Sequence, residues 1–264
     1  MGISMRLPFG LEALLPSGEE EVEVVIVVNA SEEDELADEE SMKSTAEVVN
    51  LFALAVNEQM FSRGKGKPVP AHMILLEKKW VLDPGARAWR FRFQIKSVPP
   101  ASFLVLLALL TQTHYAYEPL KLVSLRATTQ LQNPVDHHTL MNMDRNVPKR
   151  IAELSFRVDD AGRERRKNIT VIFEFKSRLA REFFNQLKGS LNIWDHLTVL
   201  SGFHLDFKEV DSLPNFGSTG HISPFVVTHS VDYFDGYSSA FEALINLGAR
   251  LHAEGHILDN ITIE

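Results

Sequence analysis

Ten histidines and no cysteine define the chemistry open to this chain of 264 residues. Without thiols there can be no disulfide framework, thiolate zinc site, iron–sulfur cluster or cysteine nucleophile. Acid–base and metal chemistry therefore fall to imidazole and carboxylate groups. His252 and His256 have the spacing of helical metal ligands. Gly255 is expected to end the helix between them, however, and no Glu follows His252, so the zincin pattern fails. Asp136-His137-His138 joins a carboxylate to two imidazoles inside a polar stretch with nothing to hold them rigid. His204, His221 and His229 lie in or near a glycine-containing loop at 211–223 and are the candidate ligand-binding residues. Gly64-Lys65-Gly66-Lys67 follows a helix instead of opening one, so the helix dipole points the wrong way for a P-loop. There is no GxSxG elbow and no pair of carboxylates on a recognisable scaffold. The residues assign no catalytic group, no metal site and no cofactor.

Charge carries a second signal. The formal net charge is −8, and residues 19–40 hold eleven acids with no Lys or Arg, which leaves the rest of the chain near neutral. Glu32, Glu33, Asp34 and Glu35, in an acidic loop at 31–41, are candidate partner-binding residues, because such a run can dock a basic protein or imitate nucleic-acid phosphate. The alternative is a solvated loop whose Glu39 and Glu40 complement the dipole of the helix that follows. Arg90 and Arg92, on a strand with Trp89 and Phe91, are a second candidate partner-binding pair. They do not read as an RNA-binding sheet. Strand alternation sends Phe91 and Phe93 to the face opposite Arg90 and Arg92, whereas bases stack on aromatic residues of an open face. A near-neutral body also lacks the positive field of a nucleic-acid binder.

An α+β fold must position these groups. Val22 to Val28 is a β-branched run that reads as a strand buried on both faces. The helix from about Thr45 to Phe61 carries Ser44 with Glu47 as a capping box. Strands at about 72–81 and 90–96 flank the turn Asp83-Pro84-Gly85, followed by a helix from about Pro100 to His114 and a strand at 120–128. Residues 131–150 read as a linker. Beyond it, strands at 151–158 and 169–176 flank the turn Asp159-Asp160-Ala161-Gly162. A helix at about 178–196, a strand at about 199–209, the loop 211–223 and a strand at 225–234 come next. A helix at about 239–254, ended by Gly255, and a strand at 260–263 complete the chain.

This order predicts two tandem ferredoxin-like (βαββαβ) domains, each an antiparallel sheet with helices on one face. An N-terminal segment at 1–20 precedes domain 1 at 21–130, and domain 2 at 151–264 has an extra N-terminal strand. One larger α+β sheet is the rival arrangement. Phe93-Gln94-Ile95-Lys96-Ser97 and Phe173-Glu174-Phe175-Lys176-Ser177 form a short internal match, which duplication and shared strand chemistry explain about equally. Since the Val22–Val28 strand offers no polar face, its sheet should be covered by the other domain, by Leu7-Pro8-Phe9-Gly10-Leu11, or by a second subunit in a homodimer.

No signal-peptide pattern opens the sequence, and its longest apolar stretch, Phe103 to Leu110, falls far short of a membrane span. The expectation is a cytoplasmic protein without membrane association. The missing catalytic constellation and the localised acidity point to a non-enzymatic interaction protein, such as an adaptor, regulator or immunity-like inhibitor of a microbial cytoplasm. It would bind a protein partner through the interdomain groove or the acidic loop. Two alternatives stay open. Tandem ferredoxin-like domains are similar in architecture to the CRISPR RNA-processing endonucleases, which implies RNA binding or processing. That family generally carries a glycine-rich segment near the C-terminus, where this chain has Ala253-Glu254-Gly255-His256. The other alternative is a small-ligand-binding or enzymatic domain using the 211–223 loop with His204, His221 and His229.

Overall fold

The computed structural model describes residues 10–14, 19–28, 35–61, 71–83, 86–98, 102, 105–106, 109–110, 122–128, 134–135, 154–160, 168–201, 217–232 and 238–264. In chain order the elements of the first half are β1 (Gly10–Leu14), β2 (Glu20–Val28), α1 (Glu35–Asn57), β3 (His72–Asp83), β4 (Ala86–Lys96), β5 (Leu122–Thr128) and β6 (Pro134–Val135). The second half contains β7 (Arg157–Asp160), β8 (Asn168–Phe175), α2 (Arg181–Ser201), β9 (Ser218–Ser223), β10 (Val226–Asp232), α3 (Ser238–Ala253) and β11 (Leu258–Ile263). The fold is α+β with two separate sheets, of order β3-β4-β2-β5-β1-β6 and β7-β11-β8-β10-β9. The two follow one plan: β2 to β5 and β8 to β11 are threaded in the same spatial permutation. The strand that precedes each set lies parallel beside its last member, β1 on β5 and β7 on β11, so both sheets are mixed where antiparallel ones were expected.

Each sheet buries one face. Val22, Val24 and Ile26 of β2 and Phe91, Phe93 and Ile95 of β4 are buried with Val48, Phe52 and Val56 of α1. In the second half, Val171, Phe173, Val227 and Ile261 join Leu187, Leu191 and Trp194 of α2 and Leu244, Leu247 and Leu251 of α3. Burying such side chains stabilises by about 1.5–3 kcal/mol each. The strand at β2 is not buried on both faces as expected. Glu23, Val25 and Val27 are only half-buried, because neighbouring long side chains cover them in part. Arg90 stands directly opposite Val25 and reaches Glu23 at 3.3 Å, so its aliphatic stem does what a second layer of protein was expected to do.

The halves meet helix on helix, α1 against α2. At this seam Glu58 accepts hydrogen bonds from Ser190 Oγ at 2.5 Å and from Arg250 Nη2 at 2.6 Å, and Asn246 donates to the Met60 carbonyl at 2.9 Å. The chain turns out of α1 through a Schellman cap, Met60 N–H to Ala55 O and Gln59 N–H to Val56 O. Gln59 takes the left-handed position there with φ 62, where glycine is usual. Its side chain compensates by bonding both the N–H and the carbonyl of Ala71, as Asn57 does for Met73, and this holds the start of β3.

Several boundaries differ from the sequence expectation. α1 starts at Glu35 instead of about Thr45, because Glu35 and Asp38 in its first turn are favoured by the helix dipole even without an apolar stripe. The N-terminal segment supplies β1, and the linker supplies β6, which pairs with β1. α2 continues through Ser201, into the expected strand at 199–209, and β9 takes up the second part of the expected 211–223 loop. Asp159 and Asp160, expected in a turn, lie in β7, which pairs with β11 instead of forming a hairpin with β8. In these last two cases a partner strand overrides weak local propensity. The short internal match falls on the third strand of one set, β4, and the first strand of the other, β8. It therefore reflects strand chemistry and not a common register.

Candidate functional site

The most unusual chemistry lies under the edge of the second sheet. Alternation along β10 turns Val227, His229 and Val231 toward the helices, and His229 is 0% exposed. Its ring meets Trp194 edge-on at 5.7 Å, and the indole N–H is fixed by the Ala240 carbonyl at 2.9 Å. Thr219 of β9 stands opposite His229 in register and places Oγ1 2.9 Å from Nδ1. From above, α2 contributes Asp195, only 2% exposed. Its Oδ2 accepts the Gly217 N–H at 2.6 Å, and its Oδ1 faces His229 Nε2 at 3.9 Å. That separation is too long for a hydrogen bond, and neither Oδ1 nor Nε2 has another partner.

Burial pushes both groups toward their uncharged forms. Desolvation raises the Asp195 carboxyl above its usual range, opposed by the Gly217 N–H and by His196, and it lowers His229 to about 4. Thr219, His229 and Asp195 follow the order of a hydroxyl, a base and an orienting carboxyl, with the last link open at 3.9 Å. Access is another matter. A Cβ at Gly217 would come within 2.8 Å of His229 Nε2 and 2.7 Å of the Ser230 carbonyl, so glycine backbone is packed directly on the imidazole. The arrangement can hold a proton out of water and respond to its loss or gain, and Gly217 closes one side of Nε2.

His221, also on β9, is exposed and sets its ring edge-on to Phe184 at 5.0 Å. His221 pairs with Val227, two positions from His229 on β10, and the two rings meet different side chains of α2, Phe184 and Trp194. His204, Glu32, Glu33 and Asp34 lie outside the described residues, and Glu35 opens α1. Arg90 and Arg92 stand on the outer face of the first sheet in a ladder with Glu23, Glu21 and Glu77, the Arg92–Glu21 pair closing to 2.6 Å. The hydrogen bonds that Arg92 donates, to Glu21 first and then to Glu77, raise its guanidinium pKa. His252 accepts the Leu258 N–H and tilts against Phe156, while His256 stacks on Phe183 with centroids 3.7 Å apart. Among the described residues no cluster of three or more metal-ligating side chains forms.

Asp195 is not among the candidates singled out in the sequence, and neither Gly217 nor Thr219 is linked there to His229. One signal was available for Asp195, which lies beside the apolar stripe Leu187, Leu191 and Trp194 of an amphipathic helix. Thr219 and Gly217 carry no such mark, since their roles depend on strand pairing and close approach.

A second feature is on the surface. Ile222, Phe225 and Ile257 are 72%, 44% and 46% exposed, at the adjoining ends of β9, β10 and β11. Backbone hydrogen bonds from Phe175 to Phe225 and from Lys176 to Ile257 set them on either side of the end of β8.

No known family matches the chain, and no curated protein does. Among solved structures it is similar to a proposed glycine cleavage system transcriptional repressor, at 10% identity and TM-score 0.22, over 94% of this chain and 96% of that one. It is similar also to pitrilysin, at 6% identity and TM-score 0.23, over 90% of this chain and 37% of the other. A further likeness is to the periplasmic protease PqqL from Escherichia coli, at 9% identity and TM-score 0.17, over 91% and 34%. Likeness at this level carries no argument about function. Among the described residues no helix is long and apolar enough to cross a membrane.

Proposed function

We propose that the chain is a non-enzymatic protein-binding module, a regulator or adaptor, built from two ferredoxin-like halves in tandem. The tandem reading is supported by the strand permutation that recurs in both sheets. The observation that carries the protein-binding reading is the group of exposed apolar side chains, Ile222, Phe225 and Ile257, at one end of the second sheet. The test is affinity capture on the immobilised full chain, compared with a chain carrying Ile222→Ser and Phe225→Ser. A discrete partner, or a second copy of this chain, should be retained by the first and lost by the second at unchanged melting temperature. Equal capture by both chains, or none, overturns the proposal.

A second reading, a small-ligand or enzymatic role near the 211–223 segment, is favoured by the unpartnered Asp195 Oδ1 and His229 Nε2. It requires a metabolite that raises the melting temperature of the native chain and does not do so after Thr219→Val.

A further inference from the structure

We infer that the exposed end of the second sheet binds an acidic, apolar segment of a protein partner; this rests on the protein-binding reading above and specifies its chemistry. The strand after strand order of the sheet lays Ile222 of β9, the Phe225 turn before β10, Lys176 at the end of β8, and Ile257 before β11 along one side. The segment that leaves this side for α2 is tied down by the hydrogen bond from Leu179 N–H to the Pro224 carbonyl at 2.8 Å. It carries Arg178 and Arg181, both exposed and both without an ion pair among the described residues. Among the described residues, Glu182 follows Arg181 in sequence, and Asp259 is already engaged by Lys176 and Arg157, each at 3.5 Å. A chain with a net charge of −8 thus keeps two guanidinium groups with no ion pair among the described residues next to the segment that carries Phe225 and Ile222, the most exposed of its large apolar side chains.

Each part selects a complementary group. Guanidinium forks pair with carboxylates in two-pronged geometry. Ile222 and Ile257 offer aliphatic surface for a branched or aromatic side chain at the centre of a contact. Single-stranded nucleic acid is the poorer match, because it needs flat aromatic faces and a wider positive field.

The probe is a short fluorescein-labelled peptide of glutamate and leucine, titrated with the full chain and followed by anisotropy. A lysine–leucine peptide and a labelled single-stranded RNA serve as competitors in chemistry. The glutamate–leucine peptide should bind, weaken with added salt, and lose about tenfold or more in affinity in the Arg178→Glu, Arg181→Glu chain. Ile222→Ser should weaken it too, and Arg90→Glu, on the other sheet, should not. Circular dichroism melting confirms that each variant is folded. Comparable binding of the lysine peptide or the RNA, indifference to the Arg178 and Arg181 changes, or no binding of the acidic peptide overturns the inference. If the peptide fails while partner capture is still lost on Ile222→Ser with Phe225→Ser, protein binding stands and only the acidic chemistry falls.

Discussion

The third strand of each four-strand set, β2 to β5 and β8 to β11, shows three buried side chains to its helices: Phe91, Phe93 and Ile95 from β4, Val227, His229 and Val231 from β10. One plan of strands therefore holds two kinds of core. In the first half the row is aromatic, with Phe91 and Phe93 stacked 6.4 Å apart and no polar atom to satisfy. In the second an imidazole occupies the middle, and the structure answers with Thr219 on one ring nitrogen and a carboxyl 3.9 Å from the other. Dispersion fills a gap from any direction, whereas a buried polar group needs a partner at a set distance and angle. The second core is the costlier and the more responsive to pH.

The largest test strikes the aromatic side of this comparison. Phe93→Ala leaves a cavity in the first core and should cost about 3–5 kcal/mol, read from the urea midpoint. If the halves are joined as tightly as the Glu58–Arg250 bond implies, both should unfold in a single transition. Next, Arg250→Met leaves Glu58 half-buried without its cation, and a loss of about 3 kcal/mol is expected. A second transition appearing in this variant shows that the seam couples the halves; its absence, with full stability, shows that apolar helix packing alone suffices.

A third test addresses the imidazole. Above pH 6.5 His229 is neutral in both the folded and the unfolded chain and sets no pH dependence. Between pH 6.5 and about 4 the unfolded chain takes up a proton that the folded one refuses, so stability falls by ~3 kcal/mol over that window. His229→Phe, which gives the second half the ring of the first, should remove this fall. Asp195 acts in the opposite sense. Its raised carboxyl pKa favours the folded state in acid, and that contribution is lost as pH rises through the folded value. The smallest effect concerns the helix ends. α3 finishes with the same cap as α1, but with Gly255 at φ 98 in the left-handed position. Gly255→Ala should cost about 1 kcal/mol in melting experiments, because no side chain there bonds back as Gln59 does.

What could be read beforehand follows from where the forces are local. β4 announced itself by alternating Arg90, Arg92 and Lys96 with Phe91, Phe93 and Ile95, and α3 by its stop at Gly255. The opening of α1 was hidden because Glu35 to Glu40 have helix-compatible charge but no apolar period. β9 was hidden because Ser218-Thr219-Gly220-His221 becomes a strand only when β10 pairs with it. The histidine of the buried site was visible, and its surroundings were not. Asp195 lies 34 positions away in sequence and meets His229 only after α2 is laid over the sheet.

The place of β11, between β7 and β8, has a consequence for synthesis and damage. The strand of this sheet that follows the other four in sequence is an interior one, so the second sheet stays split until that strand slots in, and β7 has no other strand partner among the described residues. Proteolytic loss of Leu258–Ile263 would open the middle of the sheet, exposing Phe173 and Val171 along a raw edge, the kind of surface on which chains stick to one another.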